Sequence, residues 1–375
     1  MESSRNNKSE IPSVMRAAQQ TNFGNVRDVL TLSDNVPVPR ELSSKEILVR
    51  VYAASINPSD WKILSGMVSI FLNYSWPHIP GSDVSGIIVD VGSAVNRLHI
   101  GDDVYGNVGI EGGAFAEYVR TDESSFAINP KNLTMVEAAA IPLACETSYQ
   151  VLFHNISPSL KKGNKIFICG GSSACGLFAI QLAKSIGASV ATTCASRNFQ
   201  LIEKLGYQII HNKSELINEQ EQIFVIDYNE KDFGEELKDE NYDIVYDCVG
   251  GIKQWISAQK TLKQYGQFIT LVGDDPKPNI SIKYFINLTA SIINRKFWFY
   301  FSSVHHNYIW NSTRRSYHQL DDLRINYIET NKVKPVTDTI FDWTKDDVGA
   351  LYLSYEKSKS GKAQGKLILK IIDEQ

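Results

Sequence analysis

The sequence predicts an α/β protein: a small barrel-like β unit followed by a doubly wound parallel sheet. Three observations carry this. Apolar and polar residues alternate in the first third, glycine turns crowd between those segments, and beyond residue 140 short apolar strands alternate with amphipathic helices. At about 150 residues per domain, the 375 residues make two domains, each with its own core.

Taken in order, Met1–Pro12 is Ser/Asn-rich and carries Glu2 and Glu10 among its basic residues. It resembles neither a secretory nor a transit segment and reads as a disordered leader of a cytoplasmic protein. Glu46–Ala53 (EILVRVYA) alternates like a strand with one solvated face. Val84–Val91 and Ala114–Val119 read similarly, between turns at Gly81, Gly92, Gly101, Gly106, Gly109, Gly112 and Gly113. Lys165–Cys169 (KIFIC) is a short apolar strand. After GGSSACG, the residues Leu177, Ile180, Gln181, Ala183, Lys184 and Ile186 fit one helix closed by Gly187. A strand at Ser189–Cys194 and a helix at Asn198–Leu205 follow, then strands at Ile223–Asp227, Asp243–Cys248 and Gln267–Val272. Strands alternating with helices mean right-handed βαβ units. From Lys334 the chain regains β character, ending in Lys366–Ile372.

Composition excludes several classes. With 38 Lys+Arg against 42 Asp+Glu, the net charge of -4 leaves no broad basic field for nucleic acid. The most apolar stretch, Tyr284–Phe301, is broken by Asn287, Asn294, Arg295 and Lys296, which argues against a membrane span. The five cysteines (Cys145, Cys169, Cys175, Cys194, Cys248) form no CxxC pair, and an odd number argues against a disulfide framework. They read as buried reduced thiols.

Strand, glycine loop and helix come in the order that dinucleotide binding requires. Glycines let the backbone approach a pyrophosphate, which then meets the free N–H groups of a helix N-terminus. In Gly170-Gly171-Ser172-Ser173-Ala174-Cys175-Gly176, Gly171 and Gly176 fit the first and third glycines of GxGxxG, and Ser173 takes the middle place. The alternative is a plain strand-to-helix turn, which the surrounding βαβ units disfavour. At the end of the next strand, Thr192-Thr193-Cys194-Ala195-Ser196-Arg197-Asn198 holds no acid for a ribose 2′-OH. Arg197 and Ser196 suit the 2′-phosphate of NADPH, unless Arg197 merely decorates a helix start.

These residues resemble the medium-chain dehydrogenase/reductase superfamily. Gly81-Ser82-Asp83-Val84-Ser85-Gly86 through Val91-Gly92 to Gly101-Asp102-Asp103-Val104-Tyr105-Gly106 resembles its GxDxxGxVxxVG…GDxVxG signature. Gly112–Tyr118 is similar to its GxFAEY segment, and Ala138–Thr147 to its AAxLPLAxxTA stretch. Tyr242–Gly251 and Ser360–Leu369 match two further landmarks. The resemblance implies a GroES-like β-barrel domain over 15–137 and 335–375, and an NADPH-binding Rossmann domain over 138–334, after a disordered leader over 1–14. Where the zinc alcohol dehydrogenases place a Cys ligand this chain has Asn57, and Ser82-Asp83 stand at their His-Glu pair. Cys145 falls near the third ligand position, offset from it by a couple of residues. Catalytic zinc needs three protein ligands, so no metal is expected. The metal-free branch of quinone oxidoreductases and alkenal/enone reductases is the closer match, and its reticulon-interacting oxidoreductases look nearest over the C-terminal third.

That branch implies hydride transfer from NADPH to a quinone or an α,β-unsaturated carbonyl, with donors holding the resulting oxyanion. Asn57 is the first expected donor, against an Asn-Pro turn. Lys62 is a donor or proton source, against a solvated charge. Thr147 is expected beside the nicotinamide, against helix capping. Gly171, Ser172, Ser173, Ala174, Cys175, Gly176, Ser196, Arg197, Val249 and Val272 complete the expected cofactor contacts. Tyr228 joins them if Phe224–Tyr228 corresponds to the family's VIDY segment, here displaced from Leu205-Gly206 by about fifteen polar-rich residues. His305 and His306 read as surface residues. The competing class is a non-catalytic NADPH-binding interaction or structural protein on the same fold. The small-molecule substrate is the expected partner, and a homodimer is left open.

Overall fold

The computed structural model describes residues 11–69, 72–215, 217–276, 282–301, 305–345 and 348–374. The chain splits into two compact units, residues 1–146 with 315–330 and 335–375, and residues 147–314 with 331–334. The sequence reading divides the chain at 137/138 and gives 315–334 wholly to the nucleotide domain. Here the division falls at Glu146/Thr147, and Arg315–Thr330 belongs to the first unit.

In the first unit, β1 (Val14–Gln20) pairs antiparallel with β2 (Leu30–Pro37). Residues 1–10 of the expected leader lie outside the described residues, and Val14 is already in a strand. Arg40 donates to the Pro12 carbonyl at 2.8 Å, so the leader ends earlier than expected. The strands β3 (Glu46–Ile56), β4 (Asp83–Val91), β5 (Asp103–Asn107), β6 (Tyr118–Asp122) and β7 (Phe126–Ile128) build the barrel-like sheet. β3 was expected to keep a solvated face. Instead only Glu46 and Arg50 remain partly exposed, because Ile47, Val49 and Val51 pack into one core cluster while, on the other face, Leu48 packs with Met15, Val36 and Tyr118. The strand expected over Ala114–Val119 begins only at Tyr118, and Ala116 makes an isolated bridge to Ala17. The reason is local: Gly112 and Gly113, at φ +72° and +113°, are still turning the chain.

In the second unit, β8 (Lys165–Cys169), β9 (Ser189–Cys194), β10 (Gln208–Ile210), β11 (Gln222–Asp227), β12 (Tyr242–Asp247), β13 (Leu262–Thr270) and β14 (Asn307–Trp310) form a parallel sheet. Their order is β10-β11-β9-β8-β12-β13-β14. The order reverses between β8 and β12, which is the switch point where such sheets bind ligands. The helix Ala174–Ser185 ends as its sequence dictates. Gly187, at φ +82°, donates to Lys184, and Ala188 donates to Ala183, which satisfies two terminal carbonyls. The helix expected at Asn198–Leu205 is shorter: a 3₁₀ turn over Ser196–Asn198 leads into Phe199–Glu203.

The polar insertion resolves into β10, an extra edge strand, and a loop anchored from within. Lys184 donates to the carbonyls of Glu219 and Gln222, and the Gln222 carboxamide oxygen accepts from Ile217 and Asn218. His306 is buried rather than on the surface, and His305 stacks on Tyr265 at 5.1 Å. None of the five cysteines is in a disulfide: Cys145, Cys169 and Cys194 are buried, and Cys175 and Cys248 are partly exposed. The chain ends in β15 (Thr337–Asp342), parallel to β16 (Lys366–Lys370), which pairs antiparallel with β3 in the first unit. Among the described residues no helix is long and apolar enough to cross a membrane.

Candidate active site

In the second unit the glycine loop leaves β8 at its carboxyl end. A Cβ on Gly171 would sit 2.2 Å from Thr192 Oγ1, and one on Gly176 would sit 2.3 Å from the Gly170 carbonyl oxygen. Neither position admits a side chain, so the loop and the first helical turn lie backbone against backbone. Ser173 is the N-cap: its Oγ accepts from Gly176 N at 3.0 Å. Ser172 Oγ accepts from Asn198 Nδ2 at 3.0 Å, and Gly170 N donates to Thr193 Oγ1 at 3.0 Å, tying the loop to the end of β9. Ser148 Oγ donates to the Cys175 carbonyl at 2.8 Å. Val249 packs against Gly170, and Val272 against Gly250, so both valines border the loop side of the sheet.

The end of β9 presents Ser196 and Arg197 to solvent. Asp227, paired with Cys194 across β11 and β9, is the nearest acid, and its carboxylate is already engaged. It accepts from Ser196 N, Asn229 N and Asn229 Nδ2, each at 2.9 Å. Burial pushes its pKa up, but these hydrogen bonds outweigh burial and hold it below the usual carboxylate range. Tyr228 follows directly and is half-exposed, so the insertion has left the strand end intact. Thr147 is buried, and its Oγ1 shares a 2.8 Å hydrogen bond with Thr313 Oγ1.

In the first unit Asn57, Ser82 and Asp83 come together, but not around an open position. Asp83 is fully buried and accepts from Ser55 Oγ (2.8 Å), Asn57 Nδ2 (2.8 Å), Asn107 Nδ2 (2.7 Å) and Leu143 N (3.0 Å). The ammonium of Lys366, itself 2% exposed, lies 3.1 Å from Asp83 and 2.7 Å from Asn57 Oδ1. Asn57 therefore uses both ends of its amide inside this network, and its backbone N–H donates to Asp60 at 2.6 Å. Expected as an oxyanion donor, it is here buried and engaged, and it opens the helix Pro58–Leu64. Lys62, on that helix, is partly exposed, and burial lowers its pKa. No group of three or more His, Cys, Asp and Glu that could hold a metal is found among the described residues.

Residues 43–131 match the alcohol dehydrogenase GroES-like domain, and residues 222–369 match the zinc-binding dehydrogenase model. The chain is 33% identical to 2-methylene-furan-3-one reductase of Solanum lycopersicum over 368 residues, 96% of this chain and 80% of that protein. It belongs to the medium-chain dehydrogenase/reductase family. An NADPH-dependent alkenal/one oxidoreductase of Arabidopsis thaliana is 35% identical over 272 residues, 70% of this chain and 64% of that one. The solved quinone oxidoreductase from Coxiella burnetii superposes with a TM-score of 0.75 at 29% identity, covering 95% of this chain and 99% of its own.

Within this family frame, sequence reasoning missed the buried ionisable groups. Lys366 sits in a quoted landmark, yet nothing in its spacing announces an ion pair with a residue 283 positions away. Asp60 is 4% exposed, and burial lifts its pKa to about 7 despite the hydrogen bond from Asn57. Burial lifts Glu146 to about 8, and its Oε1 finds no hydrogen-bond partner among the described residues. Carboxylates followed by Trp61 and Thr147 carry no periodic signal of their own.

Proposed function

We propose that the chain is an NADPH-dependent reductase of quinones or α,β-unsaturated carbonyls that works without zinc. The observation that carries this reading is the loop Gly170–Gly176, where Gly171 and Gly176 leave no room for a side chain against Thr192 and the Gly170 carbonyl, so the loop closes tightly onto the helix N-terminus that would receive a pyrophosphate. The activities for which its relatives are named support the substrate class. Bound NADPH supplies the hydride.

The chain's own residues do the rest. The loop N–H groups and the Ser173-capped helix hold the pyrophosphate, and Val249 and Val272 line the approach to it. Arg197, Ser196 and Tyr228 hold the 2′-phosphate, and the engaged Asp227 carboxylate fixes the Ser196 backbone instead of seeking a ribose hydroxyl. Thr147 orients the nicotinamide. Lys62 delivers the proton that completes reduction, and its lowered pKa makes the ammonium a readier acid. Zinc independence is supported by chemistry: Lys366 brings a positive charge to the Asn57–Asp83 position, where a dication would be repelled. Light scattering on the purified chain tests the homodimer.

The deciding experiment is turnover of a quinone and enone panel with NADPH, alongside ethanol and benzyl alcohol with NADP⁺. The expected result is NADPH oxidation on conjugated acceptors and none of the alcohol reaction. Quenching of NADPH fluorescence without oxidation on any acceptor would instead identify a binding protein.

A further inference from the structure

The helices Ile252–Thr261 and Ile282–Phe301 lie on the same face of the second unit's sheet. Trp255 of the first meets Phe268 and Tyr308 edge-on at 5.3 Å. Arg295 of the second lies over Trp255 at 5.5 Å and over Tyr308 at 4.0 Å. Their inner sides therefore belong to the core. Their outer sides do not look like the surface of a water-soluble unit.

On the longer helix Leu288, Ile292, Arg295 and Phe299 face inward. Opposite them stand Ile286, Ile293, Phe297 and Phe301, each more than half exposed, and Phe301 is 70% exposed. At 3.6 residues per turn these four, with exposed Ala290, fall within an arc of about 80°. Polar Asn287 and Asn294 flank one side of that arc, and Thr289 and Lys296 the other. A surface helix buries its apolar stripe and wets the other side; this one is apolar on both. Ile252 and Ile256, one turn apart on the neighbouring helix, add to the exposed apolar surface.

Charge identifies the occupant. The two helices carry Lys253, Lys260, Lys283, Arg295 and Lys296 and no Asp or Glu, in a chain whose net charge is -4. Of the nearby acids, Glu235 pairs with Lys260 and Asp274 pairs with Arg295 at 2.9 Å, while exposed Asp275 lies near Tyr284 at the start of the longer helix. Lys296, flanking the apolar arc, and Lys253, next to Ile252 on the neighbouring helix, stay exposed. A two-fold interface with a second copy would set this cationic face against itself. An anionic bilayer surface complements it, taking the aromatic and isoleucine side chains at the acyl boundary and the lysines at the headgroups.

We propose that this two-helix face docks the protein reversibly on anionic membrane surfaces. The docking is peripheral, independent of catalysis, and built from the outer arc of Ile282–Phe301 together with Ile252, Ile256 and the two unpaired lysines.

The test is co-sedimentation of the full chain with phosphatidylcholine vesicles, plain or containing about a quarter phosphatidylglycerol. Binding is expected to the anionic vesicles, weak on plain ones, and reduced by salt. Each lysine at the surface contributes roughly fivefold in partitioning, so Lys253→Glu with Lys296→Glu should lower binding by well over tenfold. Phe297→Ser with Phe301→Ser should abolish it. NADPH binding by each variant shows that the second unit remains folded, and the exposed lysine pair serves if the phenylalanine pair does not. Three results would overturn the proposal. One is absence of binding to anionic vesicles, and another is binding unchanged in both double variants. The third is a dimer in light scattering that Phe297→Ser with Phe301→Ser converts to monomer, which would assign the face to a second copy.

Discussion

Replacing Lys366 with methionine tests the buried network most directly. Methionine fills nearly the same volume but removes the ammonium that lies 3.1 Å from Asp83, both groups being almost fully buried. At that distance and an effective dielectric of about 20, the attraction lost is about 5 kcal/mol before desolvation is counted. Asp83 would remain buried as a carboxylate with neutral donors only: Ser55, Asn57, Asn107 and the Leu143 N–H. Breaking one side of a buried pair typically costs about 3–5 kcal/mol, and these four donors favour the lower end. Asn57 Oδ1 loses its partner as well. The assay is hydrogen exchange of the paired amides of β3 and β16, which reports opening of the first unit alone. A companion double variant, Lys366→Met with Asp83→Asn, removes both charges and should recover at least half of the loss. A single-variant loss below about 1 kcal/mol, or a double variant no better than the single, would refute the ion-pair reasoning.

Gly176→Val should abolish NADPH binding measured by fluorescence titration, because the added Cβ meets the Gly170 carbonyl oxygen at 2.3 Å; unchanged affinity would reduce the loop to a turn. Arg197→Ala should weaken NADPH at least about tenfold and NADH hardly at all, since one charge-assisted contact contributes about 1.5 kcal/mol or more; equal losses for both cofactors would count against the 2′-phosphate assignment. Asp60→Asn should stabilise the protein at alkaline pH. The folded pKa of about 7 lies above the unfolded value, so the wild-type carboxyl loses stability as pH rises from about 4 to 7. The variant lacks that loss, gaining up to about 4 kcal/mol above pH 7 and nothing below pH 4. Urea midpoints that show the same gain at both ends would contradict the burial argument. Finally, chelation should leave both activity and melting temperature unchanged, and elemental analysis giving one zinc per chain, lost together with activity, would reverse the metal-free reading.

The sequence by itself determined most of what rests on local order. The strand Lys165–Cys169, its glycine loop and the helix closing at Gly187 were legible because each follows from spacing and from glycine's freedom at the turns. The absence of an acid at Thr192–Asn198, and of a Cys at Asn57, could likewise be read residue by residue. Tertiary structure decided what depends on partners far along the chain. The burial of β3 on both faces comes from strands that arrive later, including β16. Asn57 looked like a free donor until folding brought Asp83 onto its Nδ2 and Lys366, 309 residues away, onto its oxygen. Asp60 and Glu146 are ordinary carboxylates in sequence, and only the removal of water around them lifts their pKa values. Likewise, Tyr284–Phe301 read in sequence only as an apolar stretch broken by Asn287, Asn294, Arg295 and Lys296. Only the sheet beneath it revealed which side was already buried and which apolar arc was left facing solvent. Periodicity records which residues share a face; what covers that face is set by contacts distant in sequence, whose energies no local pattern encodes.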